Sequence, residues 1–274
     1  MGVEFATFFS QLGSSVTVIE FMDSLLTGFS SWISTEVLKG LKRNKVKFMF
    51  NDTVNKVVKK SEQVIEITTN EGSVIESDIL LVTVGRKRKT EFLKNTLELA
   101  ENGRIIIDDN CRTSLESVWA VGDVASEVML AHNATFQGLK VVDILTTGKS
   151  KIRTDIVPGV VFSNPPFAVV GEIDEEKFKY SESSYSQTGI SAIKSAGTGK
   201  VRIYADKETY ELKGAEIYGE GSAEMIMQIV NGLAMNMSVK DLTEMIYPHP
   251  TLCENILEAC EDMFGEAIHN PNIS

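Results

Sequence analysis

Two hydrophobic periods alternate along the first third of the chain. Phe5, Phe8, Phe9 and Leu12 recur at helical spacing, the period that lays one face of a helix on a core. Gly13 follows as a plausible C-cap, and residues 16–19 form a short apolar strand that ends on Glu20. Helix then strand is the latter part of a βαβ unit, and no first strand or loop stands ahead of it in the sequence. Further strand patterns lie at 46–50, 53–58 and 64–68, and a strongly apolar run at 79–84 ends on Gly85. The turn Asn70-Glu71-Gly72 predicts that the middle strands form an antiparallel excursion from an otherwise parallel sheet.

Beyond residue 85 the pattern changes twice. Residues 86–155 hold the stretch 104–108, a strand VWAVGD and a helix over about 133–147. After a polar patch at 149–155, residues 156–274 alternate strands such as VRIYAD and KGAEIYG with helices expected near 222–234, 238–245 and 251–264. SESSYSQTG reads as a polar edge or loop.

Composition narrows the class. The chain has 274 residues, 43% of them apolar, enough for sizeable cores in more than one domain. With 27 basic and 38 acidic residues the net charge is −11, which argues against nucleic-acid and anionic-membrane partners. No stretch reaches transmembrane length, and the first residues lack the basic region and cleavage site of a secretory signal. The three cysteines, Cys111, Cys253 and Cys260, form no C-x-x-C pair, no disulfide framework and no metal-binding cluster.

Several residues are candidates for chemistry, each with a plain structural alternative. Gly2 reads either as an ordinary helix residue or as the last glycine of a G-x-G-x-x-G turn; Glu20 is then either a surface acid or the acceptor of NAD ribose hydroxyls. The run Arg86-Lys87-Arg88-Lys89 either lies in solvent or meets a phosphorylated cofactor. Gly122 and Asp123 close a short strand where open α/β sheets bind ligands, and amides around Met129 to His132 begin a helix that favours an electron-rich atom. In YPHPTLCENILEAC, Thr251 and Glu254 form a capping-box pattern, while His249 with Glu254 is a candidate proton-transfer pair.

The order of these motifs resembles the pyridine nucleotide–disulfide oxidoreductase family. Thr113, Ser114, Ala120, Gly122 and Asp123 match its T-S…A-x-G-D signature, and Gly85-Arg86 is similar to the end of its NAD domain, although Arg86-Lys87-Arg88-Lys89-Thr90 departs from the usual R-x-P-N-T. Met129, Leu130, Ala131 and His132 resemble the dihydrolipoyl dehydrogenase branch, where this stretch packs on the flavin. His249-Pro250-Thr251-x-x-Glu254 matches the family's H-P-T-x-x-E motif, with Cys253 in a position usually held by serine.

The resemblance implies α/β Rossmann-like FAD- and NAD-binding regions followed by an α+β interface domain. It divides the chain into a partial NAD-binding domain at 1–85, the C-terminal half of an FAD-binding domain at 86–155 and a dimerisation domain at 156–274. It implies oxidation of protein-bound dihydrolipoyl groups through a redox disulfide and FAD, with reduction of NAD. His249 would shuttle the proton, and Glu254 would hold its imidazole. Gly2, Glu20, Gly85, Arg86, Gly122, Asp123, Met129, Leu130, Ala131 and His132 would bind cofactor, and no metal is called for.

Implied partners are a second copy of the chain and a lipoyl-bearing acyltransferase of a 2-oxoacid dehydrogenase complex, or the lipoyl carrier of glycine cleavage. The family's glycine loop and C-x-x-x-x-C pair do not occur here, so the chain reads as a C-terminal portion, N-terminally incomplete and inactive alone. Other expectations remain open: another FAD-dependent disulfide reductase of the same superfamily, or a non-catalytic dimerisation fragment. The expected location is cytoplasmic, or the mitochondrial matrix if a transit segment stands upstream.

Overall fold

The computed structural model describes residues 1–194 and 197–269. In chain order the elements are α1 (Gly2–Gln11), β1 (Thr17–Glu20), α2 (Ser31–Arg43), β2 (Lys47–Phe50), β3 (Val54–Lys59), β4 (Ile65–Thr69) and β5 (Val74–Ser77). They continue with α3 (Ala131–Thr147), β6 (Gly159–Val161), β7 (Phe167–Gly171), β8 (Lys179–Ser184), α4 (Gly189–Lys194), β9 (Lys200–Ala205) and β10 (Leu212–Tyr218). Helices α5 (Ser222–Ala234), α6 (Val239–Thr243) and α7 (Glu254–Asp262) complete the series.

β1 and β2 pair in parallel, with Glu20 opposite Phe50, and the antiparallel meander β3-β4-β5 is the expected excursion. Helix α2 was not expected from the pattern above. Its buried residues Ile33, Val37 and Leu41 nevertheless recur every four positions, the spacing of a single helical face.

Two predicted strands do not form. Residues 79–84 pair with no strand among the described residues, and Val82 and Val84 are exposed. An apolar run has strand character only where a neighbour accepts its backbone hydrogen bonds. Residues 118–121 are likewise reduced to a single bridge between Arg112 and Trp119, and within the stretch 104–108 Ile105 forms one with Leu99.

The last region is built on an antiparallel sheet of order β6-β7-β10-β9-β8. SESSYSQTG supplies most of β8, an edge strand, followed by a 3-10 turn. Alternation along the strands sends side chains to two different cores. Val201, Ile203, Ala215 and Ile217 join Met225, Ile229, Ile256 and Cys260 of α5 and α7 in one core. Phe167 and Tyr218, on the opposite face, join Ile33, Val37 and Leu41 of α2 in the other. The first region and the last therefore share a core.

Glu216 strengthens that junction. It lies on β10 between Ala215 and Ile217, is 1% exposed, and faces α2. Ser30 Oγ donates to its Oε1, while Trp32 Nε1 at 2.6 Å and Tyr204 Oη at 2.9 Å donate to Oε2. Burial and the Glu216 charge push the Tyr204 hydroxyl well up, which keeps it a donor. Replacing Trp32 by Phe removes one donor from a buried carboxylate. The expected loss is about 1.5–3 kcal/mol of unfolding free energy, read from circular-dichroism urea curves; an unchanged midpoint contradicts this role.

Candidate functional site

Helix α7 supports the site near the C-terminus. Ile256, Ala259 and Cys260 are fully buried beneath β8 and β9. Ser181 Oγ donates to Ala259 O at 2.5 Å, and Lys179 Nζ donates to Met263 O at 2.9 Å. These contacts set the direction of the helix start, where Glu254 stands. Glu254 Oε1 lies 2.7 Å from His249 Nδ1, and Oε2 accepts the Thr251 N–H at 2.7 Å. His249 is 72% exposed at its side chain and Glu254 16%. His249 therefore presents its ring to solvent, with Nδ1 held and Nε2 free of any partner among the described residues.

The expected helix start at 251 is corrected. Thr251 Oγ1 donates back to Pro248 O at 2.8 Å, so the threonine half of the capping box does not form and α7 begins at Glu254. Burial pushes the Glu254 carboxyl up. The hydrogen bonds from His249 and the Thr251 N–H outweigh it, with the charges of His249 and His269 adding to them, and hold the group below its ordinary 4.5.

Residues 122–132 form a second cluster. Gly122 starts a 3-10 turn at φ +74, and a Cβ there would stand 3.1 Å from the Ala134 Cβ, so glycine lets the turn lie on α3. The Gly122 N–H donates to Gln137 Oε1 at 2.7 Å. Met129 and Leu130 precede α3, Ala131 and His132 begin it, and His132 Nε2 lies 2.8 Å from Pro158 O. No side chain caps the helix start, which leaves first-turn N–H groups available to an electron-rich atom. Asn133 donates through Nδ2 to Ser126 Oγ and Val128 O, while its buried Oδ1 has no partner among the described residues.

Arg88 ties the basic run to this turn. Its Nε donates to Asp123 O at 2.8 Å and its Nη2 to Ser126 O at 2.6 Å. Arg86 is exposed, with Nε 4.0 Å from Asp123 Oδ2, and Gly85 sits beside it at φ +105 with open space around it. The sequence offered a signal for Asn133 and Gln137, two polar residues four apart on what becomes the buried face of α3. It offered none for the Arg88 clamp.

The first region brings Gly2 and Glu20 to separate positions. A Cβ on Gly2 would stand 2.9 Å from Thr83 Oγ1, so the start of α1 closely approaches 79–84. Glu20 ends β1, where Oε1 accepts the Met22 N–H at 2.9 Å. Cys111, Cys253 and Cys260 are free. Burial pushes the Cys111 and Cys260 thiols up, away from reactive thiolate. Among the described residues no group of His, Cys, Asp and Glu could hold a metal ion, and no helix is long and apolar enough to cross a membrane.

This combination of a Rossmann-like parallel unit, a glycine-aspartate turn against a helix start and a mixed sheet carrying a His–Glu pair defines a class. Residues 1–138 match the family described as pyridine nucleotide-disulphide oxidoreductase, and residues 157–260 match the dimerisation domain of that name. The chain belongs to this family.

Its relatives include Dihydrolipoyl dehydrogenase 2 of Haloarcula marismortui, 34% identical over 98% of this chain and 60% of the relative. The mitochondrial Dihydrolipoyl dehydrogenase 1 of Arabidopsis thaliana is 32% identical over 98% of this chain and 56% of the relative. The crystal structure of LpdA from Mycobacterium tuberculosis shares the fold with a TM-score of 0.86, at 21% identity over 95% of this chain and 59% of that one. The chain thus spans about 60% of the length of the relatives it matches.

A pH dependence follows from the Glu254 pair. A carboxyl whose folded pKa is depressed stabilises the fold above its unfolded pKa, and that contribution disappears as pH falls through the folded value. Glu254→Gln should therefore be less stable than the unsubstituted chain at pH 7. The difference should shrink below the ordinary carboxyl value of 4.5. Thermal unfolding at stepped pH checks this; a difference that stays constant into acid contradicts it.

Proposed function

We propose that this chain carries the proton-handling and cofactor-contacting part of a dihydrolipoyl dehydrogenase, which oxidises protein-bound dihydrolipoyl groups with NAD as acceptor. The observation that carries the reading is the His249–Glu254 pair: one imidazole nitrogen held by a carboxylate, the other open to solvent. Identity above 30% to dihydrolipoyl dehydrogenases over nearly the whole chain supports this choice over other disulfide reductases.

The pair's chemistry is direct. A substrate thiol presented to His249 Nε2 gives its proton to the ring, leaving the thiolate as nucleophile, and Glu254 stabilises the imidazolium through Nδ1. The same nitrogen returns the proton when the thiolate must leave. Depression of the Glu254 carboxyl keeps it charged for this task at neutral pH.

The cluster at 122–133 fits FAD by its donor set. Open helix-start amides suit electron-rich flavin atoms, and Asp123 and the orphaned Asn133 Oδ1 suit its hydroxyl and N–H groups. Gly122, Asp123, Met129, Leu130, Ala131 and His132 would contact it, with Gly85 and Arg86 beside Asp123. Gly2 and Glu20 would receive NAD, Glu20 by accepting ribose hydroxyls. FAD, once bound, supplies the electron relay between thiols and nicotinamide. Cys111, Cys253 and Cys260 offer no C-x-x-x-x-C pair, and on this reading none of them would supply the redox disulfide.

Residues 1–85, 86–155 and 156–274 would be the NAD, FAD and interface parts. The interface part would pair two copies, with Met235, Met245 and the fully exposed Ile246 among its apolar contacts. The outward residues Phe136, Leu139, Val142 and Leu145 of α3 would be covered by the remainder of the FAD domain. The lipoyl-bearing protein would be an acyltransferase of a 2-oxoacid dehydrogenase complex or the carrier of glycine cleavage.

The test is His249→Gln in FAD-loaded enzyme containing this chain. Dihydrolipoamide-dependent NAD reduction should fall by about 10²–10⁴-fold, the usual contribution of a general acid–base. NADH oxidation by an artificial dye, which needs no thiol proton, should fall far less. Retained dihydrolipoamide turnover contradicts the reading.

A further inference from the structure

A second imidazole–carboxylate pair lies one helical turn along α7 from the first. His269 Nδ1 is 2.7 Å from Glu258 Oε1, and the His269 N–H donates to Glu258 Oε2 at 2.9 Å. Glu258 thus repeats what Glu254 does, with one oxygen on an imidazole Nδ1 and the other on a backbone N–H. Residues four apart on a helix are surface neighbours, so the two pairs adjoin.

The two pairs also share an electrostatic setting. Glu258 is only 5% exposed at its side chain, and a carboxylate so buried needs a partner. His269 is half exposed at its side chain. Its charge reaches Glu254 and Glu261 on α7, while Lys240 on α6 and Glu266 after α7 act on Glu261. Glu261 Oε2 is buried without a partner among the described residues. Burial first, then the charges of Glu258 and Glu266, push the Glu261 carboxyl up, while His269 and Lys240 pull it down. The His269 charge also helps to hold Glu254 down.

We propose that His269 is a positioning residue for the first pair: by neutralising Glu258 beside Glu254, it sets the pH at which His249 takes up its proton. The value of this tuning rests on the acid–base reading of His249 given above. Without the His269 charge, Glu258 adds a negative charge one turn from Glu254, which favours the protonated His249 ring. His249 would then hold its proton to higher pH and be a free base over less of the neutral range.

Nitrogen-15 ring titrations by NMR on the 274-residue chain follow both histidines without turnover. The coupling can therefore fail while His249 remains the acid–base group, and activity loss on replacing His249 can fail while the coupling stands. In the unsubstituted chain, the His249 curve should broaden beyond a one-proton titration where His269 titrates. In His269→Gln its midpoint should rise by about 0.5 pH unit, the order expected of one charge a helical turn away at a solvent-facing surface. His269→Lys, which restores a cation beside Glu258, should bring the midpoint back. A one-proton His249 curve in the unsubstituted chain, an unmoved midpoint in His269→Gln, or an equal rise in His269→Lys overturns the proposal.

Discussion

The burial of α7 against β8 and β9 is the constraint on which the His249 site depends. Ile256, Ala259 and Cys260 cannot leave the sheet without exposing apolar surface, so the first residue of the helix has a fixed position. Glu254 occupies that position and spends its two oxygens on His249 and Thr251. The exposed imidazole is held by a carboxylate that stands at the start of a buried helix. An exposed side chain thus takes its orientation from the core.

The same sheet also holds the first region. Because β10 alternates, Ala215 and Ile217 serve the core under α5 and α7 while Glu216 and Tyr218 serve the one under α2. The strand at the centre of the last region's sheet therefore also anchors α2, which follows the parallel strand ending on Glu20. A buried carboxylate at such a junction is costly unless every lone pair is used. Three donors from two elements answer that cost, and they make the relation between α2 and the sheet specific in direction as well as apolar.

Much of this was legible from the residues. The helices expected near 222–234 and 133–147 and the strands expected at 46–50, 53–58 and 64–68 lie within two residues of α5, α3, β2, β3 and β4. The spacing of His249 and Glu254 across a bend left their contact open and the family resemblance implied it; the two stand 2.7 Å apart. What could not be read was cooperative. Residues 79–84 have strand composition, but a ladder is a property of two chains of atoms, and no partner strand stands beside them among the described residues. Arg88 looked like one of four surface cations, yet it clamps the carbonyls of Asp123 and Ser126, acceptors that have no sequence signature. The Glu258–His269 pair spans eleven residues and forms only because the chain turns back after α7.

On the proposed acid–base reading, Glu254 holds a proton on His249 Nδ1 so that Nε2 is the basic nitrogen offered to a thiol. Nitrogen-15 shifts of the His249 ring at a pH where it is neutral test this directly. The account predicts a pyrrole-like, protonated Nδ1 and a pyridine-like, unprotonated Nε2, with the preference lost in Glu254→Gln. A neutral ring protonated at Nε2, or a tautomer indifferent to Glu254, would contradict it.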